Sequence, residues 1–89
     1  MTKEQMTTLL ARLQQMQQMV IGKSCDFKLT TYSEHDDGEQ TTSWPAIAYS
    51  VWHKDNYVDS GILHGNETYN EGCKKVESFE FNLRHIGWI

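Results

Sequence analysis

The chain has 89 residues, of which 38% are hydrophobic and 11% aromatic, and its formal net charge is −4. This length suffices for one compact domain that buries roughly 60–65% of the surface exposed by the unfolded chain. No apolar run approaches the ~18–20 residues that span a bilayer, and the excess of acidic residues opposes binding to a nucleic-acid backbone. The composition therefore predicts a small domain with neither membrane nor direct nucleic-acid contacts.

The start of the chain and its two cysteines bear on where the protein resides. The stretch M-T-K-E-Q-M-T-T-L-L has no uninterrupted apolar run of the kind that a secretory signal contains. Cys25 and Cys73 are distant in the sequence, and two cysteines fall short of a disulfide framework. We therefore expect a cytoplasmic protein in which both cysteines are free.

The first predicted element is a helix over about residues 2–21. Thr2 and Gln5 have the spacing of a capping box, and Gly22 is suited to end the helix. Apolar residues recur at helical spacing on one side: Met6, Leu9, Leu10, Leu13, Met16, Val20 and Ile21. Part of this stripe has heptad spacing, which leaves open a helix shared across a dimer. Because the stripe is too short for a free-standing coiled coil, we favour a helix that faces the core of its own domain.

Three strands are predicted next, over about residues 25–33, 42–53 and 57–64. The first alternates apolar and polar residues, and the second is rich in aromatic and branched residues, with Pro45 near its start. K-D-N-Y, residues 54–57, is typical of a tight turn, which makes the second and third strands antiparallel.

The segment from about residue 68 to residue 86 is predicted as a second helix. F-E-F-N-L-R alternates like a strand, but the longer segment has helical period, begins at a Thr68–Glu71 capping box and ends before Gly87. Its apolar stripe consists of Tyr69, Gly72, Cys73, Val76, Phe79, Leu83 and Ile86. The chain is therefore predicted to be one α+β domain over residues 1–89. Its fold is a two-layer α-β-β-β-α sandwich in which both helices cover one face of a three-stranded antiparallel sheet.

Residues 33–40, S-E-H-D-D-G-E-Q, form the most chemically suggestive stretch. Asp37-Gly38 between two strands is a strong hairpin signal, so a polar hairpin tip is the favoured interpretation. A weak divalent-ion site within Glu34–Glu39 and catalytic acids stay open as alternatives. Successive residues of a strand point to opposite faces, however, and the spacing is not that of an EF-hand. We therefore assign no metal ligand, catalytic residue or cofactor.

The remaining histidines and the cysteines are interpreted as structural or surface residues. His53 and His64 are placed to face each other across the second hairpin, but no third metal ligand is evident. Neither cysteine has a recognisable partner motif that would mark it as a nucleophile.

The two faces of the predicted sheet differ in composition. If residues 54–57 form a two-residue hairpin loop, one face carries the larger apolar residues Ile47, Tyr49, Val51, Val58 and Ile62. The other face then carries Trp44, Ala46, Ala48, Ser50, Trp52, Tyr57, Asp59, Gly61 and Leu63. We expect the larger residues to lie under the helices. A bulge or a change of turn length would alter this assignment and the side on which Phe27 and Leu29 lie.

Two resemblances to known families come from the element order and from one junction. The elements follow the order of a double-stranded-RNA-binding domain, with one helix, three strands and a second helix. This resemblance implies RNA binding through basic residues at the start of the second helix. Here that turn reads T-Y-N-E-G-C-K-K, and Glu71 together with the negative net charge departs from the pattern. G-N-E-T-Y-N-E-G is similar to the strand-to-helix junction of HicB-type antitoxins, over a short stretch that is mostly capping chemistry. Neither resemblance assigns the chain to a family.

Three functions are compatible with this sequence. We favour a small non-enzymatic interaction protein that self-associates as a homo-oligomer and uses an aromatic sheet face to contact a protein partner. Its candidate contact residues are Trp44, Trp52, Tyr57, Asp59, Phe81 and Trp88. The second hypothesis is an acidic inhibitor or nucleic-acid mimic that blocks a basic site on a protein partner. Its candidate carboxylates are Glu34, Asp36, Asp37, Glu39, Asp55 and Asp59. The third hypothesis is a divalent-metal-dependent enzyme.

Overall fold

All five predicted elements are present in the predicted order. The computed structural model describes residues 1–36 and 42–89. The elements are α1 (Lys3–Met19), β1 (Cys25–His35), β2 (Ser43–His53), β3 (Asn56–His64) and α2 (Tyr69–His85). Each boundary lies within about two residues of the predicted one, which is the usual uncertainty of helix and strand ends. The tail of the chain is a helix rather than a fourth strand.

The sheet is antiparallel, with β2 between β1 and β3. α1 packs against β1 and β2, α2 packs against β3, and the two helices contact each other. Both helices therefore lie on one face of the sheet, which confirms the predicted two-layer α+β arrangement. The opposite side is the open face of the sheet. In the described residues neither helix has both the length and the apolar character that a bilayer crossing demands.

The hydrophobic core lies between the helices and the sheet. Its buried side chains from the helices are Met6, Leu9, Leu13, Met16, Val76, Phe79 and Leu83. The Phe79 ring lies 5.5 Å from that of Phe27 and 4.7 Å from that of Tyr49, so α2 joins both neighbouring strands. Burial raises the pKa of Tyr49 to about 12, as expected for a phenol that is removed from water. The apolar stripe of α1 thus faces its own domain.

The predicted helix ends are confirmed by their hydrogen bonds. Thr2 and Gln5 form both bonds of the capping box, and the Thr68 hydroxyl accepts from the Glu71 amide at 3.2 Å. Gly22 has a φ of +85° and Gly87 a φ of +83°, values that favour glycine because it lacks a Cβ. Gly87 directly follows the C-cap of α2, and Gly22 lies two residues beyond the C-cap of α1, so each glycine lies just past the end of its helix, as predicted.

Two residues of the predicted helical stripes are exposed. Ile21 follows the end of α1, and 69% of its surface is accessible. Ile86 follows the end of α2 and is 44% exposed. The sequence pattern placed both on the buried side. That assignment was wrong because the helical period no longer applies once the backbone has left the helix.

A β-bulge in β3 changes which of its residues lie under the helices. Trp52 pairs with Tyr57, whereas Val51 pairs with Asp59, so Val58 is the additional residue of β3. Beyond the bulge, the helix-facing residues of β3 are Asp59, Gly61 and Leu63, and the open-face residues are Ser60, Ile62 and His64. The predicted placement of Asp59, Gly61, Leu63 and Ile62 was therefore wrong.

The assignment of β2 and β1 follows the prediction that larger residues lie inside. Ile47, Tyr49 and Val51 are buried under the helices. Phe27 pairs with Val51 and Leu29 pairs with Tyr49, so β1 presents its apolar residues on the same side. The open face consequently keeps the tryptophans of β2, as predicted.

Candidate interaction surface

The open face consists of five cross-strand rows of side chains. From one end of the sheet to the other they are Glu34–Trp44, Tyr32–Ala46–His64, Thr30–Ala48–Ile62, Lys28–Ser50–Ser60 and Asp26–Trp52–Tyr57. Aromatic residues therefore occupy both ends, and small or aliphatic residues lie between them. With a rise of about 3.3 Å per residue, Trp44 and Trp52 are separated by roughly 26 Å along β2.

One end of the open face is an exposed aromatic pair. Trp52 and Tyr57 are cross-strand neighbours whose rings lie 5.4 Å apart at 77°, an edge-to-face arrangement. The Tyr57 hydroxyl lies 3.0 Å from the Ser60 hydroxyl, which holds the ring along β3. Trp52 is 37% exposed and Tyr57 56% exposed. The pair therefore offers aromatic surface in a fixed orientation.

The middle of the open face is a shallow depression with a small-residue floor. Ala48, Ser50 and Ser60 form this floor, and Lys28, Thr30 and Ile62 surround it. Ile62 is 40% exposed. An apolar side chain from a partner would find both depth and aliphatic contact here.

The other end is a polar cluster around Glu34. Its Oε1 atom accepts a hydrogen bond from Nε1 of Trp44 at 3.0 Å and lies 2.6 Å from Nδ1 of His64. Glu34 is on β1 and His64 on β3, so the contact crosses β2, where the intervening residue is Ala46. Ala46 is small enough to lie beneath this contact, and it is 1% exposed.

The cluster perturbs the ionisation of its acidic members. The hydrogen bond from His64 lowers the pKa of Glu34 below its ordinary value, although desolvation opposes it, and the Trp44 bond adds to the lowering. Partial desolvation raises the pKa of Tyr32, and the nearby Glu34 carboxylate adds to this effect. The cluster therefore favours the ionised form of Glu34 and the neutral form of Tyr32.

A carboxylate that orients an imidazole also occurs in hydrolase triads, where the second ring nitrogen activates a hydroxyl. In the described residues no side-chain hydroxyl is hydrogen-bonded to His64. Nor do residues 1–36 and 42–89 contain three His, Cys, Asp or Glu side chains placed to hold one metal ion. The arrangement fixes the positions of Trp44 and His64 on the open face.

The predicted contact residues separate into two groups. Trp44, Trp52 and Tyr57 lie on the open face, as predicted. Asp59 does not: it lies on the helix side, where its Oδ2 accepts from the side-chain amide of Asn82 at 2.8 Å. The bulge at Val58 is the physical reason for that error.

The other two predicted contact residues belong to neither end of the open face. Phe81 is on α2, is 67% exposed and stacks on His85 at 6.2 Å. Trp88 packs against the core and lies 5.4 Å from the His53 ring. These residues do not form one continuous surface with Trp44, Trp52 and Tyr57.

Sequence reasoning missed three open-face residues, namely Tyr32, Ile62 and His64. His64 pairs with Ala46 and His53 pairs with Asn56, so the two histidines lie at opposite ends of the β2–β3 hairpin and do not face each other. Glu34 and His35 belong to β1 rather than to the predicted hairpin tip. The Asp37-Gly38 turn lies outside the described residues, although β1 and β2 do pair as the arms of one hairpin. The missing signal was the strand register, which the sequence of the turn does not give.

No family model, curated protein or solved structure matched the chain when it was compared with them. The geometry of the open face is therefore the basis for a functional proposal.

Proposed function

We propose that this chain is a small, intracellular, non-enzymatic interaction protein that self-associates and presents its open face to a protein partner. The observation that carries the proposal is the composition of that face. It combines exposed aromatic rings at fixed positions with a depressed floor of small residues, on the side of the sheet that neither helix covers. Tryptophan and tyrosine supply most hot spots in protein interfaces because they bury a large area with few rotatable bonds.

The electrostatics of the open face favour a protein partner over a nucleic acid. Among the described residues, Lys28 is the one lysine or arginine in the rows of the open face, and Asp26 lies 3.7 Å from the Lys28 ammonium. A surface with so little positive charge gains little from phosphate contacts. Intracellular residence is supported by the thiols of Cys25 and Cys73, which are not joined in a disulfide.

The open face of one copy is modest in area. Three strands spaced by about 4.8 Å and about 36 Å long give a flat area on the order of 500 Å². A stable interface of standard size buries about 800 Å² on each partner. A partner of high affinity would therefore have to extend beyond one open face or bind two of them, which is consistent with a self-associating protein.

Self-association is tested by light scattering and sedimentation across a dilution series of the purified chain. The expected result is a mass above that of one chain at high micromolar concentration, which falls on dilution. A strict monomer throughout the series would contradict the self-association part of the proposal.

Use of the open face is tested by affinity capture from cells of the native host, with matched aromatic variants. Trp52→Ala and Tyr57→Ala should each lose the captured protein, because they remove the ring pair at one end of the face. Phe81→Ala removes an exposed ring from the outer side of α2 and should retain it. If Phe81→Ala loses the partner while Tyr57→Ala keeps it, the contact surface is the helix and the proposal is wrong.

The acidic-mimic alternative requires its carboxylates to form one surface. Glu34 lies at one end of the sheet on the open face, and Asp59 lies near the other end on the helix side. Asp37 and Glu39 lie outside the described residues. No observation favours this alternative over the first proposal. It predicts partner binding that weakens steeply with salt, whereas binding through aromatic rings does not.

A further inference from the structure

The two edges of the sheet differ in how their backbone groups are satisfied. In an antiparallel sheet, alternate residues of an edge strand point their N–H and C=O groups away from the neighbouring strand. The Asp36 amide donates to the Thr42 carbonyl at 2.9 Å, and the Gly65 amide donates to the Pro45 carbonyl at 2.8 Å. These two bonds set the alternation. The outward groups belong to odd-numbered residues of β1, and to even-numbered residues of β3 beyond the bulge.

The outer edge of β3 is largely blocked by the protein's own groups. The Lys75 ammonium donates to the Ile62 carbonyl, and Glu67 bonds both backbone groups of His64. The Asp59 carboxylate accepts from the Ser60 amide. The bond from the Glu67 amide to the His64 carbonyl measures 3.0 Å, and the other three bonds each measure 2.9 Å. Such blocking is how a sheet edge avoids pairing with another chain.

The outer edge of β1 is blocked near its start. The side-chain amide of Gln17 donates to the Phe27 carbonyl at 3.1 Å. Further along the strand, the outward N–H and C=O groups of Leu29, Thr31 and Ser33 have no hydrogen-bond partner in the part of the chain that the structure describes. These three residues are an uncovered stretch of edge strand, and such a stretch is a template for another strand.

The geometry points to a homodimer in which the β1 strands of two copies pair antiparallel through this uncovered stretch. The inference rests on the self-association in the proposed function, but it assigns that contact to the β1 edge and leaves the open face for the partner. Thr31 pairs with Thr31 of the second copy, and Leu29 pairs with its Ser33. The free groups then satisfy each other in about six hydrogen bonds. If the register moved by two residues, the ladder would include Phe27 in one direction and His35 in the other, and the uncovered stretch would no longer pair only with itself.

The charges next to the pairing residues complement each other in this register, although Asp26 also comes opposite Asp36, the residue that follows the end of β1. With Thr31 opposite Thr31, Lys28 of each copy lies directly opposite Glu34 of the other. Lys28 extends into solvent, with 69% of its side chain exposed, and Glu34 uses its Oε1 for both Trp44 and His64. A carboxylate has about four acceptor positions, so Glu34, which also bonds with the Tyr32 hydroxyl, can still accept from the ammonium of the second copy. A shift of two residues one way would place Asp26 opposite Glu34 instead, and like charges across a strand pair are unfavourable.

The dimer also enlarges the surface available to a partner. Residues that face each other across an antiparallel pair point to the same side of the sheet. The helices of both copies therefore lie on one side, and the two open faces join into one six-stranded surface. Its flat area is on the order of 1,000 Å², against about 800 Å² per partner for an interface of standard size.

Amide hydrogen exchange tests this pairing without changing the sequence. We expect the Leu29, Thr31 and Ser33 amides to exchange at least about tenfold more slowly in concentrated than in dilute protein, because pairing removes them from water. The Ile62 amide, which also points outward but on the blocked edge, is the internal control and should exchange equally fast in both. Equal rates for the three β1 amides in a sample that sediments as a dimer would overturn the inference while leaving self-association intact.

Three variants extend the test. Thr31→Pro removes an outward amide that the β1–β2 ladder does not use, and it should make the protein monomeric. Lys28→Glu should weaken the dimer about tenfold or more, because it turns two symmetric attractions into repulsions. Lys74→Glu makes the same charge change on α2 and should leave the dimer unchanged.

Two outcomes would show that the β1 edge is not the contact. One is a Lys28→Glu variant that dimerises like the wild type. The other is loss of the dimer in Trp52→Ala while Thr31→Pro retains it. A wild type that stays monomeric overturns both this inference and self-association.

Discussion

The Oε1 atom of Glu34 lies 2.6 Å from Nδ1 of His64, so a carboxylate on β1 and an imidazole on β3 meet across the central strand. This contact lowers the pKa of Glu34 below its ordinary value of 4.5. A group whose pKa is depressed by folding stabilises the folded state above its unfolded pKa. The stabilisation is lost as the pH falls through the folded pKa. The cluster should therefore stabilise the sheet at neutral pH and cease to do so in acid.

The first prediction concerns the acid dependence of stability. Wild type should exceed Glu34→Gln in unfolding free energy at neutral pH, and the difference should narrow between about pH 5 and about pH 3. Urea unfolding across that range measures it. Glu77→Gln, which neutralises an exposed carboxylate on α2, is the control and should differ from wild type by a constant amount. A constant difference for Glu34→Gln as well would mean that the hydrogen bond with His64 has no net effect on folding.

The second prediction concerns the contact between Tyr49 and Gly61. These residues pair across β2 and β3, and a Cβ at position 61 would overlap the Tyr49 hydroxyl. Gly61→Ala should therefore destabilise the protein by about 1–3 kcal/mol, as overpacking does in cores. Ser50→Ala, on the open face of the neighbouring strand, should change stability by less than about 0.5 kcal/mol. Equal effects of the two substitutions in urea unfolding would show that the Tyr49 ring moves aside without cost.

Tyr49 and Gly61 also explain why the sequence predicted the fold but not the faces of β3. The alternation of Val58, Ser60 and Ile62 is more apolar than that of Asp59, Gly61 and Leu63, so pattern alone favours the first set as buried. The structure places the second set on the helix side after the bulge, and there the large Tyr49 ring fits opposite a glycine. The choice depends on the volume of a cross-strand neighbour, and hydrophobic periodicity carries no information about that volume.

The Glu34 cluster was not predictable for a related reason. Glu34, Trp44 and His64 come from three strands, and they meet only when both hairpin registers are known. The helices, by contrast, were predictable almost to the residue, because their stripes and caps are local in sequence. Non-local polar contacts across a sheet have no such local signal. The candidate site was therefore half predictable: its tryptophans could be assigned to a face, but its polar end could not.

The third prediction concerns the blocked edge of β3. Lys75 donates to the Ile62 carbonyl at 2.9 Å and to Oε1 of Glu67 at 2.7 Å. Burial alone would raise the pKa of Glu67, but the hydrogen bonds from Lys75 and from the His64 amide outweigh it and lower the pKa. Lys75→Met keeps the apolar stem but leaves both acceptors without the ammonium, and it should cost about 1 kcal/mol in urea unfolding. Adding Glu67→Gln should recover part of the loss, since the unpaired charge is then gone. Additive effects of the two substitutions would show that the pair is not coupled.

The fourth prediction compares two phenylalanines on α2. Phe79 is buried between Phe27 and Tyr49, whereas Phe81 is 67% exposed. Phe79→Ala should cost about 3–5 kcal/mol, which is a large part of the stability of a domain of this size. Phe81→Ala should change stability by no more than about 0.5 kcal/mol. Circular dichroism in increasing urea measures both. A comparable loss at Phe81 would indicate that its ring is buried in solution, for example in an interface between copies.

The last prediction concerns the turn that returns Trp88 to the core. Gly87 has a φ of +83°, its amide donates to the Arg84 carbonyl, and the Trp88 amide donates to the Leu83 carbonyl, both at 3.0 Å. This pattern is a Schellman turn, which reverses the chain after α2 and brings Trp88 against His53. Gly87→Ala strains the turn, because a Cβ disfavours positive φ by roughly 1–2 kcal/mol. The strain should both destabilise the protein and displace the Trp88 ring.

Gly22→Ala is a matched control for the Gly87 substitution. Gly22 has a nearly equal φ of +85°, and at both positions a Cβ would meet no atom within 4 Å. The two variants should therefore lose similar stability. Only Gly87→Ala should move the indole N–H signal of Trp88 in a nitrogen–proton correlation spectrum, because only that turn holds the ring near His53. If both variants leave the signal unmoved, packing of the ring against the core, rather than the turn, determines where Trp88 lies.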